Sequence, residues 1–341
     1  MLQAIMKKPG VIDYIEINKP RPKDNEILIK VKRMGICGSD IHVFKGTHPY
    51  TNYPIVQGHE ISGIIEEVGN SIEDYNPGDR IIIIPQLTCG KCYPCKHGMY
   101  HICDNLKVLG FQINGAAQEY IALDSKMVLK IPDSLDLDEG AIIEPAAVAL
   151  HAVKKGGEIG NKKILVLGGG TVGNLVAQSA KSLGGSKVMI TDISDFKLEI
   201  AKKYNIDFTV NSNKEDIDKT ILNNFSKDKA DIIFECVGIQ NTISQAISVA
   251  RKGSKIIVVG VYGEKPIVDM GLVQDHELIV IGSLMYQKND FLEIIELVSE
   301  GKIDLKKLIT TRFSFLNFND AYKYILENKN KVMKVIINFS N

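Results

Sequence analysis

The sequence predicts an α/β protein of two domains, a small β-barrel followed by a doubly wound parallel sheet. Its 341 residues are more than a single hydrophobic core normally organises. Short apolar segments separated by turn residues fill roughly the first 85 positions, whereas apolar strands alternate with helical patterns from about residue 160. We expect a first domain over residues 1–150, a second over 151–285, and a tail over 286–341 that returns to the first domain.

Composition and charge favour a protein that acts on small molecules. Hydrophobic residues make up 45% and charged residues 24%, which is ordinary for a globular protein in water. Basic and acidic residues number 41 each, so the zero net charge predicts no nucleic-acid or membrane partner. No apolar run approaches the roughly 20 residues of a membrane helix, and no signal-peptide pattern opens the chain. We therefore expect a cytoplasmic location.

The β-barrel is predicted from strand patterns in the first part of the chain. Apolar or alternating segments occupy residues 27–32, 61–68 and 80–84, and turn residues separate them. Short strands with such spacing are typical of a small twisted barrel. Residues 110–127 return to strands, and a buried helix over 146–155 follows Pro145, which suits the first turn of a helix.

A cysteine-rich lobe interrupts the barrel. Two of the six cysteines, Cys37 and Cys236, stand alone, and the others follow the spacing Cys-x2-Cys-x2-Cys-x7-Cys. Four thiolates in a short loop can close a tetrahedral shell, which predicts a structural zinc rather than two local disulfides in a reducing compartment. The predicted ligands are Cys89, Cys92, Cys95 and Cys103.

A glycine-rich turn predicts a dinucleotide site in the second domain. It joins an apolar strand over 163–167 to a helix over 172–183, and the next strand, 187–191, ends at an acid. In that setting G-x-G-x-x-G is a strong signal, with the diphosphate on the helix N-terminus. Gly168 permits the tight turn, Gly170 admits the pyrophosphate and Gly173 lets helix and strand pack closely. The predicted cofactor-binding residues of the turn are Gly168, Gly170, Thr171, Val172 and Gly173.

The acid at the end of that strand, Asp192, bears on the choice of cofactor. It would bind the adenosine ribose hydroxyls and repel a 2′-phosphate, which favours NAD over NADP. Lys197 lies nearby and would tolerate a phosphate. Strands over 231–238, 255–260 and 278–283 extend the parallel sheet, and helices over 290–300 and 319–327 precede a last strand over 334–338.

The stretch between Cys37 and Glu60 predicts a catalytic zinc. It offers a thiolate, the imidazoles of His42 and His59, and the carboxylates of Asp40 and Glu60. A catalytic zinc takes three protein ligands of these types and keeps a fourth position open. Cys37, His59 and a carboxylate are the expected ligands; the alternative for Cys37 is a small buried hydrophobe.

Together these features resemble the zinc-dependent medium-chain alcohol dehydrogenases. The runs Cys37-Gly38-Ser39-Asp40-x-His42 and Gly58-His59-Glu60-x-x-Gly63, the cysteine lobe and the glycine turn fall in the family order. The resemblance implies a GroES-like catalytic domain and a Rossmann cofactor domain. Glu144-Pro145 with the later His151 looks like the sorbitol-type polyol and sugar-acid branch. Whether Glu60 or Glu144 binds the zinc directly stays open, since in this branch the other holds the metal-bound water.

The resemblance implies an enzyme that transfers hydride between a secondary alcohol and NAD with two zinc ions per chain. The alcohol would be a polyol, a sugar acid or a sugar phosphate, and the zinc would lower the pKa of its hydroxyl. Ser39 would take the proton and His42 would pass it on, while Asp40 would fix the tautomer of His59. Loops around 46–54, 111–115 and 284–287 would shape the pocket, and a dimer or tetramer is expected.

Three other functions compete with this one. Within the family, the substrate could be threonine or the butanediol/acetoin pair. A zinc-free quinone reductase or a non-catalytic NADPH-binding member would lack the cysteine, histidine and glutamate set. A zinc-ribbon nucleic-acid binder built on the cysteine lobe is disfavoured by the neutral charge.

Overall fold

The computed structural model describes residues 1–339, and the chain divides into two compact units. The first unit contains Met1–Glu144 and Ile309–Asn341, and the second contains Pro145–Leu308. The sequence placed the borders near 150 and 285. The return to the first unit begins later because the helix Lys288–Ser299 belongs to the second unit, where its Asp290 pairs with His151.

The N-terminal part of the first unit is mostly strand, as predicted. Its helices are α1 (Gly38–Phe44), α2 (Tyr93–Lys96) and α3 (Leu137–Gly140), with short 3₁₀ turns at Tyr100–Ile102 and Ser125–Met127. Its strands are β1 (Leu2–Lys8), β2 (Val11–Glu16), β3 (Glu26–Ile36), β4 (Glu60–Val68), β5 (Arg80–Ile83), β6 (Gln86–Leu87), β7 (Lys107–Val108), β8 (Tyr120–Asp124) and β9 (Val128–Lys130).

The second unit alternates strands and helices. Its strands are β10 (Lys163–Leu167), β11 (Lys187–Asp192), β12 (Phe208–Asn211), β13 (Ile232–Glu235), β14 (Lys255–Val258) and β15 (Ile279–Gly282). Its helices are α4 (Ile143–Lys155, which starts two residues before the border), α5 (Thr171–Ser182), α6 (Asp195–Lys202), α7 (Ile217–Phe225), α8 (Gln240–Val249), α9 (Met270–Asp275) and α10 (Lys288–Ser299), and a 3₁₀ turn at Lys306–Leu308 closes the unit.

The six strands of the second unit form one parallel sheet in the order β12-β11-β10-β13-β14-β15. This confirms the predicted doubly wound sheet. The central strands are apolar along their length because helices cover both faces of a parallel sheet; β10, for example, is buried from Ile164 to Leu167. The order reverses between β10 and β13, and such a switch point opens a crevice at the carboxyl ends of the strands.

The last segment returns to the first unit through β16 (Ile309–Ser314), a 3₁₀ turn at Phe315–Asn317, α11 (Phe318–Glu327) and β17 (Lys334–Asn338). β17 runs parallel to β16 and antiparallel to β3. The resulting sheet has the order β16-β17-β3-β4-β5-β9, and β8 also pairs with β3. This register brings Lys334, the first residue of β17, beside the end of β3. Within residues 1–339, none of the helices has the length and apolar character to cross a bilayer.

Candidate functional site

Three side chains of the first unit converge as a possible metal centre. Cys37 precedes α1, and His59 and Glu60 lie at the start of β4, with one ligand atom from each within 4.8 Å of the others. His59 and Glu60 are buried, and Cys37 is half-buried. A thiolate, an imidazole and a carboxylate are the donors of a catalytic zinc with one open position, so these residues fit that ion. Among the described residues, this group includes Glu60 and not Glu144, which lies buried in the first turn of α4.

A lysine holds the carboxylate of Glu60. Lys334 Nζ lies 2.7 Å from Glu60 Oε1 and 2.6 Å from Oε2, and it also donates to the carbonyl of Ile36 at 3.2 Å. Burial by itself would lower the pKa of Lys334, but the Glu60 carboxylate outweighs it and raises that pKa. The lysine is therefore a cation fixed against one of the candidate ligands.

A chain of buried polar side chains leads from Tyr322 to His59. Tyr322 Oη donates to Gln57 Oε1 at 2.7 Å, and Gln57 Nε2 lies 3.3 Å from Asp40 Oδ1. The same Asp40 oxygen is 3.5 Å from His59 Nδ1, while its other oxygen accepts the backbone N–H of Cys37 at 2.9 Å. The spacing to His59 is longer than a normal hydrogen bond, so this contact is an ion pair in the present geometry.

Opposing effects act on the pKa of His59. Burial is the largest single effect and would lower the pKa of the imidazole, but the Asp40 carboxylate and the Cys37 side chain together raise it well above its ordinary value. The side-chain amide of Gln57 is oriented to match both of its neighbours. Its carbonyl oxygen accepts from the hydroxyl of Tyr322, and its NH₂ group faces the carboxylate of Asp40. An N–H of His59 aimed at Asp40 leaves the other ring nitrogen as the one available to a metal.

The two residues predicted to move a proton lie on α1. Ser39 Oγ is 3.7 Å from Cys37 Sγ, and His42 follows one turn later on the same helix face. His42 is exposed, and its Nδ1 lies 3.3 Å from Thr47 Oγ1. Ser39 therefore lies beside the candidate metal centre, and His42 lies at the surface.

The cysteine lobe brings its four sulfur atoms within 4.8 Å of one another. All six cysteines of the chain are free thiols, which contradicts the alternative of two disulfides. Backbone N–H groups of Lys91 and Cys92 lower the pKa of Cys89 to about 6, whereas desolvation and neighbouring sulfurs raise that of Cys95 to about 12. Four thiolates at this spacing repel one another, so the cluster fits a cation that neutralises them.

The glycine turn has the predicted form. Gly168 has a φ of +104°, which a residue with a side chain rarely adopts, and a Cβ at Gly173 would overlap the carbonyl oxygen of Gly168. A Cβ at Gly170 would meet nothing within 4 Å, so space for a phosphate is open at the start of α5. Asn174 donates from its amide to the carbonyl of Gly169 at 2.6 Å and holds the turn in place.

Asp192 ends β11 beside this turn. Its two carboxylate oxygens accept backbone N–H groups of Gly169 at 2.7 Å and Ser194 at 2.8 Å. Lys197 Nζ lies 4.0 Å from the same carboxylate. The acid is therefore fixed next to the phosphate-sized space, and its side chain is only 9% exposed.

A pocket of about 350 Å³ lies in the first unit, between two of the three loops that the sequence placed around the substrate, those near 46–54 and 111–115. Phe111 lines it and also contacts the rings of His59 at 4.9 Å and His48 at 4.7 Å between centroids. The polar lining is uncharged. The lining residues are Tyr50, Asn52, Pro54, Ile55, Phe111, Gln112, Ile113 and Asn114.

Reasoning from the sequence missed three residues of this site, namely Lys334, Gln57 and Tyr322. Lys334 opens an apolar strand, and a lysine at such a position is normally exposed. Gln57 directly precedes the Gly58-His59-Glu60 run and carried no pattern of its own. Tyr322 lies on the apolar face of α11. A polar residue on a predicted core face was the available signal for Lys334 and Tyr322.

Two family descriptions match the chain. Residues 23–133 match the alcohol dehydrogenase GroES-like domain, and residues 171–300 match the zinc-binding dehydrogenase family. The chain is 33% identical to an uncharacterised zinc-type alcohol dehydrogenase-like protein of Escherichia coli, YdjJ, over 99% of each chain. It is 32% identical to the sorbitol dehydrogenase of Bacillus subtilis over 99% of this chain and 97% of that one. It is 33% identical to the L-idonate 5-dehydrogenase of Vitis vinifera over 85% and 81%.

Solved structures resemble the chain over its whole length. Galactitol-1-phosphate dehydrogenase from Escherichia coli has a TM-score of 0.91 at 30% identity, covering 99% of this chain and 100% of that one. An alcohol dehydrogenase (rspB) from Escherichia coli CFT073, complexed with NADH, has a TM-score of 0.92 at 30% identity and 99% coverage of both. A zinc-binding dehydrogenase from Sinorhizobium meliloti, bound to NADP, has a TM-score of 0.91 at 29% identity, with 99% and 98% covered.

Proposed function

The chain belongs to the polyol and sugar-acid branch of the zinc-dependent medium-chain alcohol dehydrogenases, and we propose that it oxidises a secondary alcohol with NAD as the hydride acceptor. The substrate class is a polyol, a sugar acid or a sugar phosphate, as in sorbitol, idonate and galactitol-1-phosphate dehydrogenases. The observation that carries the proposal is the convergence of Cys37, His59 and Glu60 in a chain that also holds the glycine turn. A zinc-free member of the fold would not need that convergence.

Cys37, His59 and Glu60 would hold the catalytic zinc, and the cysteine lobe would hold a second, structural zinc. Zinc bound at the first site supplies a Lewis acid that favours loss of the proton from a substrate hydroxyl. Ser39, beside Cys37, would accept that proton while releasing its own hydroxyl proton, and His42 on the same face of α1 would pass the released proton on to solvent. Asp40 orients His59, and Lys334 orients Glu60.

The choice of NAD rests on Asp192. A half-buried carboxylate at the end of β11 binds ribose hydroxyls and repels a 2′-phosphate. Because relatives contain either NADH or NADP, the choice needs its own test. The ratio of kcat/KM for NAD and NADP should favour NAD in the wild type. Asp192→Asn should shrink that ratio about ten- to a hundredfold, since one like-charge contact near the surface is worth about 1–3 kcal/mol.

Two further properties follow as proposals. We propose a homo-oligomer, a dimer or a tetramer, because β15 is an edge strand with Ile279 and Val280 exposed, and exposed apolar edges are commonly covered by another chain. Light scattering of the purified protein measures the mass. We propose the cytoplasm as the location, because free thiols at all six cysteines suit a reducing compartment.

The decisive experiment is a substrate screen with metal analysis on the same sample. Purified protein is mixed with NAD or NADP and with polyols, aldonates, polyol phosphates, threonine or butanediol, and absorbance of the reduced nicotinamide is followed. Turnover of a polyol or its acid or phosphate, with about two zinc ions per chain, supports the proposal. Turnover of threonine or butanediol alone would show that the proposed substrate class is wrong. Absence of zinc from the active sample would overturn the mechanism.

Matched cysteine variants separate the two metal sites. Cys37→Ser and Cys95→Ser each remove one sulfur ligand, and each should lower the zinc content from about two to about one. Only Cys37→Ser should abolish turnover while the fold persists, whereas Cys95→Ser should lower the stability of the first unit. Equal loss of activity in both variants, or loss of both zinc ions from either one, would contradict two independent sites.

A further inference from the structure

Glu235 is a fully buried carboxylate that the mechanism above does not use. It ends β13, the strand next to β10 on the side away from β11. Its Oε1 accepts the backbone N–H groups of Val237 and Gly238, both at 2.9 Å, and the hydroxyl of Thr242 at 2.7 Å. Its Oε2 accepts the hydroxyl of Tyr262 at 2.9 Å. Four donors aimed at one buried side chain offset the cost of removing it from water.

These contacts join two loops. Val237 and Gly238 belong to the connection from β13 to α8, and Thr242 lies in the first turn of α8, whereas Tyr262 belongs to the connection that follows β14. The loops touch through their backbones, because a Cβ at Gly238 would lie 2.5 Å from the carbonyl oxygen of Val261. The backbone N–H groups of Val259 and Gly260 also donate to the main-chain carbonyl of Glu235, at 2.8 and 2.9 Å. The carboxylate of Glu235 therefore adds a side-chain link between the ends of two neighbouring strands.

The two loops lie at one end of the dinucleotide crevice. Asp192, the expected partner of the adenosine ribose, ends β11 on one side of β10, and the glycine turn follows β10 itself. β13 and β14 lie on the other side, so the remaining half of a dinucleotide extends over their carboxyl ends. Gly168 packs against Val237, since a Cβ there would lie 2.5 Å from its Cγ2. The first loop thus adjoins the phosphate turn directly.

Both loops expose apolar side chains at this edge. Val237 is 40% exposed and Val261 is 74% exposed, although each follows a buried strand. Apolar surface left open beside a phosphate-binding turn suits a planar aromatic ring better than a sugar. Tyr262 is only half-buried and packs on the core of the unit, so its hydroxyl sets the position of the second loop.

We propose that Glu235 is a positioning residue for the nicotinamide half of the cofactor, acting through Tyr262 and the backbone of Val237 and Gly238. The inference rests on the proposed function, because it requires that the crevice binds a dinucleotide. Glu235 itself touches neither cofactor nor substrate. It fixes the separation of the two loops between which the ring lies, so that the adenosine half binds independently of it.

Calorimetry with two probes tests the proposal on the zinc-loaded protein. NAD contains both halves of the cofactor, whereas ADP-ribose lacks the nicotinamide. Tyr262→Phe removes only the side-chain hydrogen bond between the second loop and Glu235. It should weaken NAD binding about three- to tenfold, the effect of one lost hydrogen bond, while the dissociation constant of ADP-ribose stays the same. Glu235→Gln, which keeps the shape and one acceptor oxygen, should act in the same direction.

Two matched variants make the result specific. Thr242→Val removes a hydroxyl that donates to the same carboxylate from the first turn of α8, on the side of the first loop, so it should leave the ratio of the two dissociation constants near that of the wild type. Tyr204→Phe removes a buried hydroxyl of the same unit that has no hydrogen-bond partner among the described residues, and it should change neither constant.

Each outcome decides the matter. Selective loss of NAD affinity in Tyr262→Phe and Glu235→Gln supports the positioning role. Equal weakening of both probes, or a selective effect as large in Thr242→Val, would mean that Glu235 only stabilises the fold and would overturn it. If the wild type binds NAD and ADP-ribose equally, the nicotinamide contributes nothing and the inference fails while the dinucleotide site stands. If the wild type binds neither NAD nor ADP-ribose, the proposed function itself is contradicted.

Discussion

Lys334 and Glu60 form a buried bidentate ion pair, with distances of 2.7 and 2.6 Å and side-chain exposures of 4% and 0%. The pair joins the last strand of the chain to the start of β4. A carboxylate removed from water is tolerated only when it is paired. Lys334 supplies that partner and holds Glu60 in the position where it meets Cys37 and His59.

Lys334→Met should destabilise the first unit strongly. The substitution keeps the length of the stem and removes the charge, which leaves Glu60 buried without its cation. Breaking a buried pair from one side costs about 3–5 kcal/mol. Denaturant unfolding of the zinc-loaded protein measures the change in the free energy of unfolding.

The control for this variant is a pair at the surface. Lys19 lies 2.5 Å from Glu66 with both side chains about two-fifths exposed, and Lys19→Met should cost about 0–1 kcal/mol. Lys334→Met combined with Glu60→Gln removes both charges and should recover most of the loss. If Lys334→Met and Lys19→Met unfold alike, the buried pair does not hold Glu60.

How far the sequence could predict this site depends on how local each signal is. β10 begins and ends as predicted because its apolar run meets the glycine turn directly. β13 ends at Glu235, three residues before the predicted end, because the chain turns to wrap that carboxylate with its own N–H groups. The cysteine lobe was recognised from spacings of two to seven residues, and Cys37 and His59 were recognised from the short runs of sequence around each of them.

The remaining features depend on contacts between distant parts of the chain. Lys334 lies 274 residues from Glu60, and Tyr322 lies 265 residues from Gln57, so no local pattern links them. For the same reason, spacing alone left Glu60 and Glu144 as equal candidates, and the fold was needed to group Glu60 with Cys37 and His59. The later border of the second unit likewise reflects the pairing of α10 with α4.

Asp40→Asn should weaken zinc binding at the catalytic site. An amide offers one acceptor where Asp40 uses two oxygens, one toward His59 and one toward the backbone N–H of Cys37. It also removes the negative charge that faces the imidazole. Loss of such a supporting contact costs about 10–100-fold in metal affinity, and competition with a chelator measures it.

The cysteine lobe provides an internal control in the same sample. Its zinc should exchange at the same rate in Asp40→Asn as in the wild type, because its ligands, Cys89 to Cys103, make no use of Asp40. Tyr322→Phe should reduce the affinity of the catalytic site by a smaller factor, since it acts through Gln57. A uniform loss from both sites would indicate a general effect on folding.

Ser39→Ala should slow turnover without changing the zinc content. The hydroxyl lies next to Cys37 and is the group positioned to accept the substrate proton. Removal of a positioned proton acceptor typically costs about 100-fold or more. Steady-state kinetics on the substrate found in the screen give kcat, and metal analysis gives the zinc content. Ser39→Thr keeps a hydroxyl and should retain most of the activity; unchanged turnover in Ser39→Ala would remove the relay from the mechanism.

Asp290 should make the second unit sensitive to acid. Burial alone would raise the pKa of this carboxyl, but hydrogen bonds from His151, the backbone N–H of Gln287 and Lys154 outweigh it and lower the pKa to about 2. A carboxyl with a depressed pKa contributes stability above its ordinary value of 3.8, and this contribution is lost as the pH falls toward 2. The loss amounts to about 2 kcal/mol.

Asp290→Asn should therefore unfold more easily near neutral pH. Its free energy of unfolding should also change less between about pH 4 and 2, which denaturant unfolding at each pH measures. Asp320→Asn, at a position 65% exposed, is the control and should keep the wild-type dependence of stability on pH. If the profiles of wild type and Asp290→Asn run parallel, the contacts between α4 and α10 do not depend on the charge of Asp290.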